Sequence, residues 1–311
     1  MDIIHGIQNY SSPSKSILTT GTFDGVHIGH QKIINTLVKD AKQKKLRANL
    51  LTFFPHPRMI LKSNTKIKLI DTLNEKEAIL RKLGIDNLII HPFSLEFSKL
   101  SAIEYVKDIL VGKLKINSLY TGYNHRFGKN KEASVDDMIL FGKKYGFEVL
   151  TVPAENISST TVSSTKIRDA IINSNFKKAK KFLGRDYELN GIVAKGKGLG
   201  KTISFPTANL EIKEPYKLIP SKGVYLVRVN YKNKFYEGMM NIGTRPTING
   251  INQTQEVHLF NFNENIYGEY LRVHFLKKIR DEKKFNSIED LKNQLNQDRD
   301  NCKRSLSIFK G

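Results

Sequence analysis

A chain of 311 residues, 39% hydrophobic and 26% charged, is long enough for two domains, each with its own core. Its one cysteine, Cys302, excludes an internal disulfide and a multi-cysteine metal site and fits a reducing, cytoplasmic setting; no leader-like segment and no membrane-length apolar run is read. The net charge of +21 is spread evenly, +13 over residues 1–184 and +8 over 185–311, so it reads as a lysine-rich solvated surface that welcomes anionic small molecules, with no nucleic-acid or membrane partner expected and self-association left open.

Ile17-Leu18 is short and apolar and predicts a first strand, after which Ile33, Ile34, Leu37, Val38 and Ala41 recur at helical spacing. Between them lies Thr19-Thr20-Gly21-Thr22-Phe23-Asp24-Gly25-Val26-His27-Ile28-Gly29-His30, the turn from strand to helix. A helix N-terminus there offers unpaired N–H groups and a positive dipole end to a phosphate. Gly25 and Gly29 admit close backbone approach, and His27 and His30, three apart, can face one point. One histidine near a turn is ordinarily a cap. Two, with three glycines and a Thr-x-Asp in the same turn, point to a nucleotide triphosphate cradle.

Arg47–Phe53 is a second strand, followed by Phe54-Pro55-His56-Pro57-Arg58, where His56 suits a cap and a pocket wall equally. Thr72-x-x-Glu75 is a capping box for a helix burying Ile79, Leu80 and Leu83 and stopping at Gly84. Asn87–Ile90 is a third strand. Ser101-x-x-Glu104 opens a helix with Ile103, Val106, Ile109 and Leu110 inward. Ser118–Thr121, a fourth strand, leads into Gly122-Tyr123-Asn124-His125-Arg126-Phe127-Gly128-Lys129, whose glycines, amide and cations suit a phosphorylated ligand. A helix over Ser134–Tyr145 and a fifth strand over Glu148–Val152 complete an alternation that signals a parallel sheet. Ser163-Ser164-Thr165-Lys166-Ile167-Arg168 then opens a helix; an N-cap explains one hydroxyl, while three with two cations suit a triphosphate.

Phe176–Leu183 is a short amphipathic helix ending at Gly184-Arg185, and beyond it the period changes to short alternating runs: Leu189–Val193, Val224–Val229, Gly238–Ile242, Glu256–Phe260 and Tyr270–Phe275. These predict a small antiparallel barrel or sandwich. Gly196-Lys197-Gly198-Leu199-Gly200-Lys201-Thr202 is not a P-loop, because Lys195 stands where the first glycine belongs and Phe205-Pro206-Thr207-Ala208-Asn209 follows instead of a helix. Ser287-x-x-Asp290 caps a last helix carrying Ile288, Leu291, Leu295 and Leu306. The fold class is therefore α/β: a doubly wound parallel-sheet domain over 1–184, then a small antiparallel β-barrel with a terminal helix over 185–311.

The glycine turn resembles the His-x-Gly-His signature of nucleotidyltransferases, and with its preceding residues it resembles the bacterial bifunctional riboflavin kinase/FMN adenylyltransferase family, the FAD synthetases. Class I aminoacyl-tRNA synthetases share the His-Ile-Gly-His letters but need a Lys-Met-Ser-Lys-Ser-like loop, which this chain lacks. The resemblance runs through Asn124, Ser163–Arg168, the Pro206–Asn209 run, Asn241–Thr247, Glu256-Val257-His258 and Arg280-Asp281-Glu282-x-x-Phe285. It departs at Phe54, His125, Lys201 and Ser204, where the family usually has an acid, an aromatic, an arginine and a glycine.

The resemblance implies an ATP-dependent adenylyltransferase with His27 and His30 catalytic. Gly21, Phe23, Asp24, Gly25, Gly29, Asn124, Ser163, Ser164, Thr165 and Arg168 would then hold the nucleotide. It implies a kinase barrel with Glu256 as catalytic base, nucleotide contacts from Gly198, Gly200 and Lys201, and flavin contacts from Arg280, Glu282 and Phe285. Thr207 and Asn209 lie on one side of an extended chain and offer hard oxygen ligands for Mg²⁺. Alone that run reads as a turn; with the surrounding motifs the metal reading is favoured. The implied substrates are ATP, riboflavin and FMN, with FAD the final product.

Overall fold

The computed structural model describes the chain apart from residues 13, 62–66, 158–159, 197–199, 201–202, 248–249 and 310–311. Contacts gather the chain into two units, Met1–Ser164 and Thr165–Gly311.

In the first unit, six strands form one sheet: β1 (Asp2–His5), β2 (Ser16–Thr20), β3 (Arg47–Phe53), β4 (Asn87–His91), β5 (Ile116–Gly122) and β6 (Glu148–Val152). Their order is β1-β4-β3-β2-β5-β6, and every pairing is parallel. The period of two along each strand shows why the sheet is covered on both faces. Leu18, Leu51, Ile89 and Leu119 enter one buried cluster, while Ile17, Leu50, Leu88 and Tyr120 enter the other. The predicted first strand is thus the second, because β1 is a short edge strand whose half-exposed residues carry little alternation.

The helices follow their caps. His27 caps α1 (Ile28–Lys44), and His56 accepts from the Arg58 N–H ahead of the short α2 (Pro57–Leu61). The Thr72/Glu75 capping box forms both its hydrogen bonds at α3 (Leu73–Lys82). Ser101 and Glu104 form another at α4 (Ala102–Glu104), which widens at once into a π-helix over Tyr105–Lys113. Wider turns rotate the buried stripe away from the period of 3.6. Ile103, expected inward, is therefore exposed, while Ala102, Tyr105, Val106 and Leu110 are buried. α5 (Val135–Tyr145) follows a third capping box at Ser134. A hairpin of β7 (Asn156–Ile157) and β8 (Thr160–Thr161), too short to show a period, precedes α6 (Ser164–Ile172).

In the second unit α7 (Phe176–Leu183) lays the Phe176 ring 5.1 Å from that of Phe275. The strands β9 (Glu188–Ala194), β10 (Ala208–Glu211), β11 (Gly223–Tyr231), β12 (Lys234–Thr247), β13 (Gly250–Leu259) and β14 (Tyr270–Arg280) close into an antiparallel barrel in the order β10-β13-β12-β11-β14-β9. β10 is the strand that the sequence pattern did not disclose. The terminal α8 (Ile288–Phe309) packs Leu291, Leu295, Cys302 and Leu306 against a cluster that includes Val224, Leu226 and Met239. Ile288, expected on that face, is 60% exposed. It is the helix's first residue, where an apolar side chain has no preceding turn to pack on.

Candidate functional site

In the first unit, the glycine-rich turn leaves the carboxyl end of β2, and Asn124 follows the carboxyl end of its neighbour β5. From β2 the sheet grows to β3 and β4 on one side and to β5 and β6 on the other. The two segments therefore flank the topological switch point, where ligands of open α/β sheets bind.

His27 caps α1: its Nδ1 accepts from the His30 N–H at 3.4 Å, which leaves Nε2 as the ring's donor nitrogen. The His27 and His30 rings stack at 3.6 Å, and the Phe23 ring lies 5.0 Å from His30. A side chain at Gly29 would stand 3.3 Å from the His27 ring, so the ring would have to shift by a few tenths of an ångström to admit one. Burial, then the neighbouring His27 and Lys76, hold His30 well below the usual imidazole range, so it is neutral near pH 7. Its Nδ1 is buried with no hydrogen-bond partner among the described residues.

The turn itself is strained, with Phe23 at φ 46° and Val26 at φ 33°, and it is gripped from several sides. Lys76 Nζ and Thr52 Oγ1 both donate to the Thr22 carbonyl, at 2.7 and 3.2 Å. Buried Asp24 accepts the Ile70 N–H on its carboxylate. The Asp24 carbonyl accepts the Ser164 hydroxyl at 2.9 Å, so the two sequence motifs, 140 residues apart, are joined by one hydrogen bond. Gly21 lies where β2 ends and is half-buried, Gly25 stands at φ 86°, and Ser163 is half-buried beside Ser164. Asn124 is exposed. His125 has its ring near-parallel to Phe127, and burial lowers its pKa to about 4. Lys76 escaped the sequence reading; the available signal was a cation in the first turn of a helix, against the dipole.

In the second unit, Thr165 is exposed and Arg168 half-buried, on α6. A cavity of about 260 Å³ opens on the barrel, and Gly200, Thr207, Asn209 and Glu256 line it together with Arg280, Glu282 and Phe285. Gly198 and Lys201 lie outside the described residues. The barrel register explains the convergence. Glu256 on β13 is directly opposite Asn209 on β10 and directly opposite Asn241 on β12. Directly opposed residues point to one face, so an amide, a carboxylate and an amide stand in a row across three strands.

The cavity's other walls are fastened to the frame. Arg280 donates from Nε and Nη2 to Asp298, which is fully buried on α8, at 2.8–3.0 Å, while its guanidinium lies 5.7 Å from the Phe285 ring. Glu282 accepts the Thr244 N–H at 3.1 Å. His258 donates from Nδ1 to the Pro206 carbonyl at 2.8 Å, and burial keeps it neutral, its pKa lowered. Gly200 must lack a side chain, since one would collide with the Phe205 carbonyl and touch Thr207. A second cavity of about 250 Å³, walled by Pro206, Val257 and the Phe262–Tyr267 segment, meets the first at Thr207. Asn241 and Asp298 went unassigned in the sequence. Asn241 lay inside a quoted motif, but its place opposite Glu256 depends on register, which the sequence does not carry.

Family models place the description FAD synthetase on residues 9–166 and riboflavin kinase on residues 183–306. The bifunctional riboflavin kinase/FMN adenylyltransferase of Haemophilus influenzae is 35% identical, over 97% of this chain and 98% of its own length. That of Buchnera aphidicola is 34% identical over 96% of each. A crystal structure described as a macrolide-efflux protein from Streptococcus pneumoniae superposes with a TM-score of 0.88 at 32% identity, covering 96% of this chain and 98% of the other. Among the described residues, no helix is long and apolar enough to cross a membrane.

Proposed function

The chain belongs to the bifunctional riboflavin kinase/FMN adenylyltransferase family, which phosphorylates riboflavin with ATP and then adenylylates FMN to FAD with release of pyrophosphate; from that premise we propose how its residues divide the work. Residues 1–184 carry adenylyl transfer and residues 185–311 the kinase, the division suggested by the change of sequence pattern at Gly184.

In the kinase, riboflavin occupies the cavity bounded by Arg280, Glu282 and Phe285, and the phosphate donor the second cavity. Thr207 borders both, which supports transfer beside it. Glu256 takes the proton of the ribityl 5′-hydroxyl as its oxygen bonds to the γ-phosphorus and ADP leaves. Thr207 and Asn209 fit a Mg²⁺ ion, since a hydroxyl and an amide oxygen beside a carboxylate form a hard donor set with room for phosphate oxygens. When bound, the ion would offset charge on the transferring phosphate. Gly198, Gly200 and Lys201 are assigned to the nucleotide on the motif resemblance.

In the adenylyltransferase, an FMN phosphate oxygen attacks the α-phosphorus of ATP and pyrophosphate leaves. No covalent enzyme intermediate is needed, and catalysis is positioning and charge stabilisation. His27 and His30 donate to the polyphosphate, with the turn amides of Gly21–Gly29 and the hydroxyls of Ser163 and Ser164 around it. Asn124 orients substrate, while Thr165 and Arg168 are assigned on the motif resemblance.

The observation that carries the kinase assignment is the Asn209–Glu256–Asn241 row. The test is incubation with riboflavin, ATP and Mg²⁺ and separation of the flavins. The wild type should accumulate FMN and then FAD. Asn241→Ala should slow FMN formation and leave conversion of supplied FMN intact; loss of both together would overturn the division.

A further inference from the structure

We propose that Lys76 is a positioning residue for adenylyl transfer: a buried ammonium that holds the Gly21–His30 turn from beneath and biases it towards an anionic ligand. The inference rests on the reading of that turn as the nucleotide site.

Lys76 is 5% exposed, and its Nζ donates to the Thr22 carbonyl at 2.7 Å. Packing does not account for a lysine there. The residue is the fourth of α3 beyond its cap Thr72, close to the positive end of the helix dipole, where a cation is disfavoured. Burial also opposes its charge and lowers its pKa, with Asp24 and Asp71 pulling the other way. A methionine would fill similar space without either cost. What methionine cannot do is grip a carbonyl.

The turn needs that grip. Phe23 and Val26 sit at positive φ, and such residues persist only where the surroundings over-determine them. Three consecutive residues are held: Thr22 by Lys76 and Thr52, Phe23 by burial of its ring, and Asp24 by Ile70 and Ser164. Of these partners, Lys76 alone brings a full charge. That charge reaches His30, whose buried Nδ1 has no hydrogen bond to fix its protonation. Among the described residues the ionisable groups that act on His30 are His27 and Lys76, both against the imidazolium; Glu155, near Gly29, is paired with Lys32 at 2.5 Å. Lys76 therefore sets the backbone of the turn and helps keep His30 a neutral hydrogen-bond donor.

The experiment uses the full-length protein and reads FMN adenylylation and riboflavin phosphorylation in the same preparation, from about pH 5.5 to 9. Lys76→Met should lower kcat for adenylyl transfer by about 10- to 100-fold, the effect of a misplaced reactive geometry. It should also move the acid limb of that activity to higher pH, because a field opposing the imidazolium has gone, and leave the kinase unchanged. Lys76→Arg should restore most of the rate and the acid limb. Unchanged adenylyl transfer in Lys76→Met overturns the proposal. So does a lowered rate with an unmoved acid limb, which would make Lys76 a packing residue. If Lys76→Met does not fold, Lys76→Gln and Lys76→Arg decide: equal adenylyl transfer in the two overturns the proposal, and activity in Arg alone supports it. His30→Ala run in parallel separates the layers, for if it leaves FAD formation intact the nucleotide site itself has been misread, whatever Lys76 does.

Discussion

In the first unit, the residues of the candidate site come from a turn and a helix end, and the frame holds them by their backbone: Thr22 and Asp24 are gripped through carbonyls, and His27 serves as a cap. In the second, they are side chains from neighbouring strands, aligned because the barrel register sets Asn209, Glu256 and Asn241 opposite one another. The first arrangement presents N–H groups and a dipole to polyphosphate and needs strain to do so. The second presents a carboxylate between two amides and needs none. In the first site a change outside His27 and His30 acts through the turn it leaves behind, whereas the second depends on single side chains throughout.

Glu256→Gln tests the second half of that contrast and carries the largest expected effect. Glutamine keeps the shape but cannot accept the proton, so riboflavin phosphorylation should fall by about 10²–10⁴-fold. Supplied FMN should still become FAD. Glu269→Gln is the control, since Glu269 pairs with Lys232 at 3.1 Å and is not among the residues lining the cavity. The contrast breaks if the control kills the kinase while Glu256→Gln leaves it active.

His30→Ala is the next largest. Loss of one transition-state hydrogen bond should slow FAD formation by about 10²–10³-fold, with FMN formation retained. His27→Ala should cost as much in rate. It should also lower the stability of the first unit, by about 1 kcal/mol, because the same ring caps α1.

How far the sequence disclosed each half follows from the same contrast. The turn was legible because its chemistry is contiguous: glycines, two histidines and a strand–helix context lie within twelve residues. Its support was not, because Lys76, Thr52 and Ile70 reach it from distant elements. The barrel strands were legible by alternation except β10, which has four residues. The partners of Glu256 were quoted as motifs without their geometry, since nothing local sets Asn241 opposite Glu256. Ile103 misled for a different reason: the π-turns after Glu104 shift the buried face.

A smaller effect concerns acid. His125 is half-buried as a neutral ring, desolvation lowering its pKa to about 4, against 6.5 unfolded. Between those values the unfolded state binds the extra proton, so stability of the first unit should fall as pH drops through about 6.5 towards 4. His125→Phe removes that titration and keeps an aromatic face beside Phe127, so thermal melts of the variant should show a shallower fall over the same range. An identical pH dependence in both proteins would remove His125 from the account.

The smallest effect sharpens the comparison most, because both units place ordinary residues at positive φ. Ser204 stands at φ 65° and is exposed, just before Phe205 whose N–H bonds the Gly200 carbonyl. An L-residue in that region carries roughly 1–2 kcal/mol of steric cost that glycine lacks. Glycine in turn loses more backbone freedom on folding, by about 0.4–1 kcal/mol. The two terms oppose, and Ser204→Gly should stabilise the second unit by under about 1 kcal/mol, with kinase activity unchanged. Phe23 has the same sign of φ, 46°, but is 3% exposed and lies against His30. Phe23→Gly would relieve the same strain and lose a buried ring worth about 3–5 kcal/mol, so it should destabilise and slow FAD formation. Urea midpoints of the two variants decide the matter. If Ser204→Gly destabilises as Phe23→Gly does, the exposed position is held by contacts as firmly as the buried one, and the barrel loop is no looser than the turn.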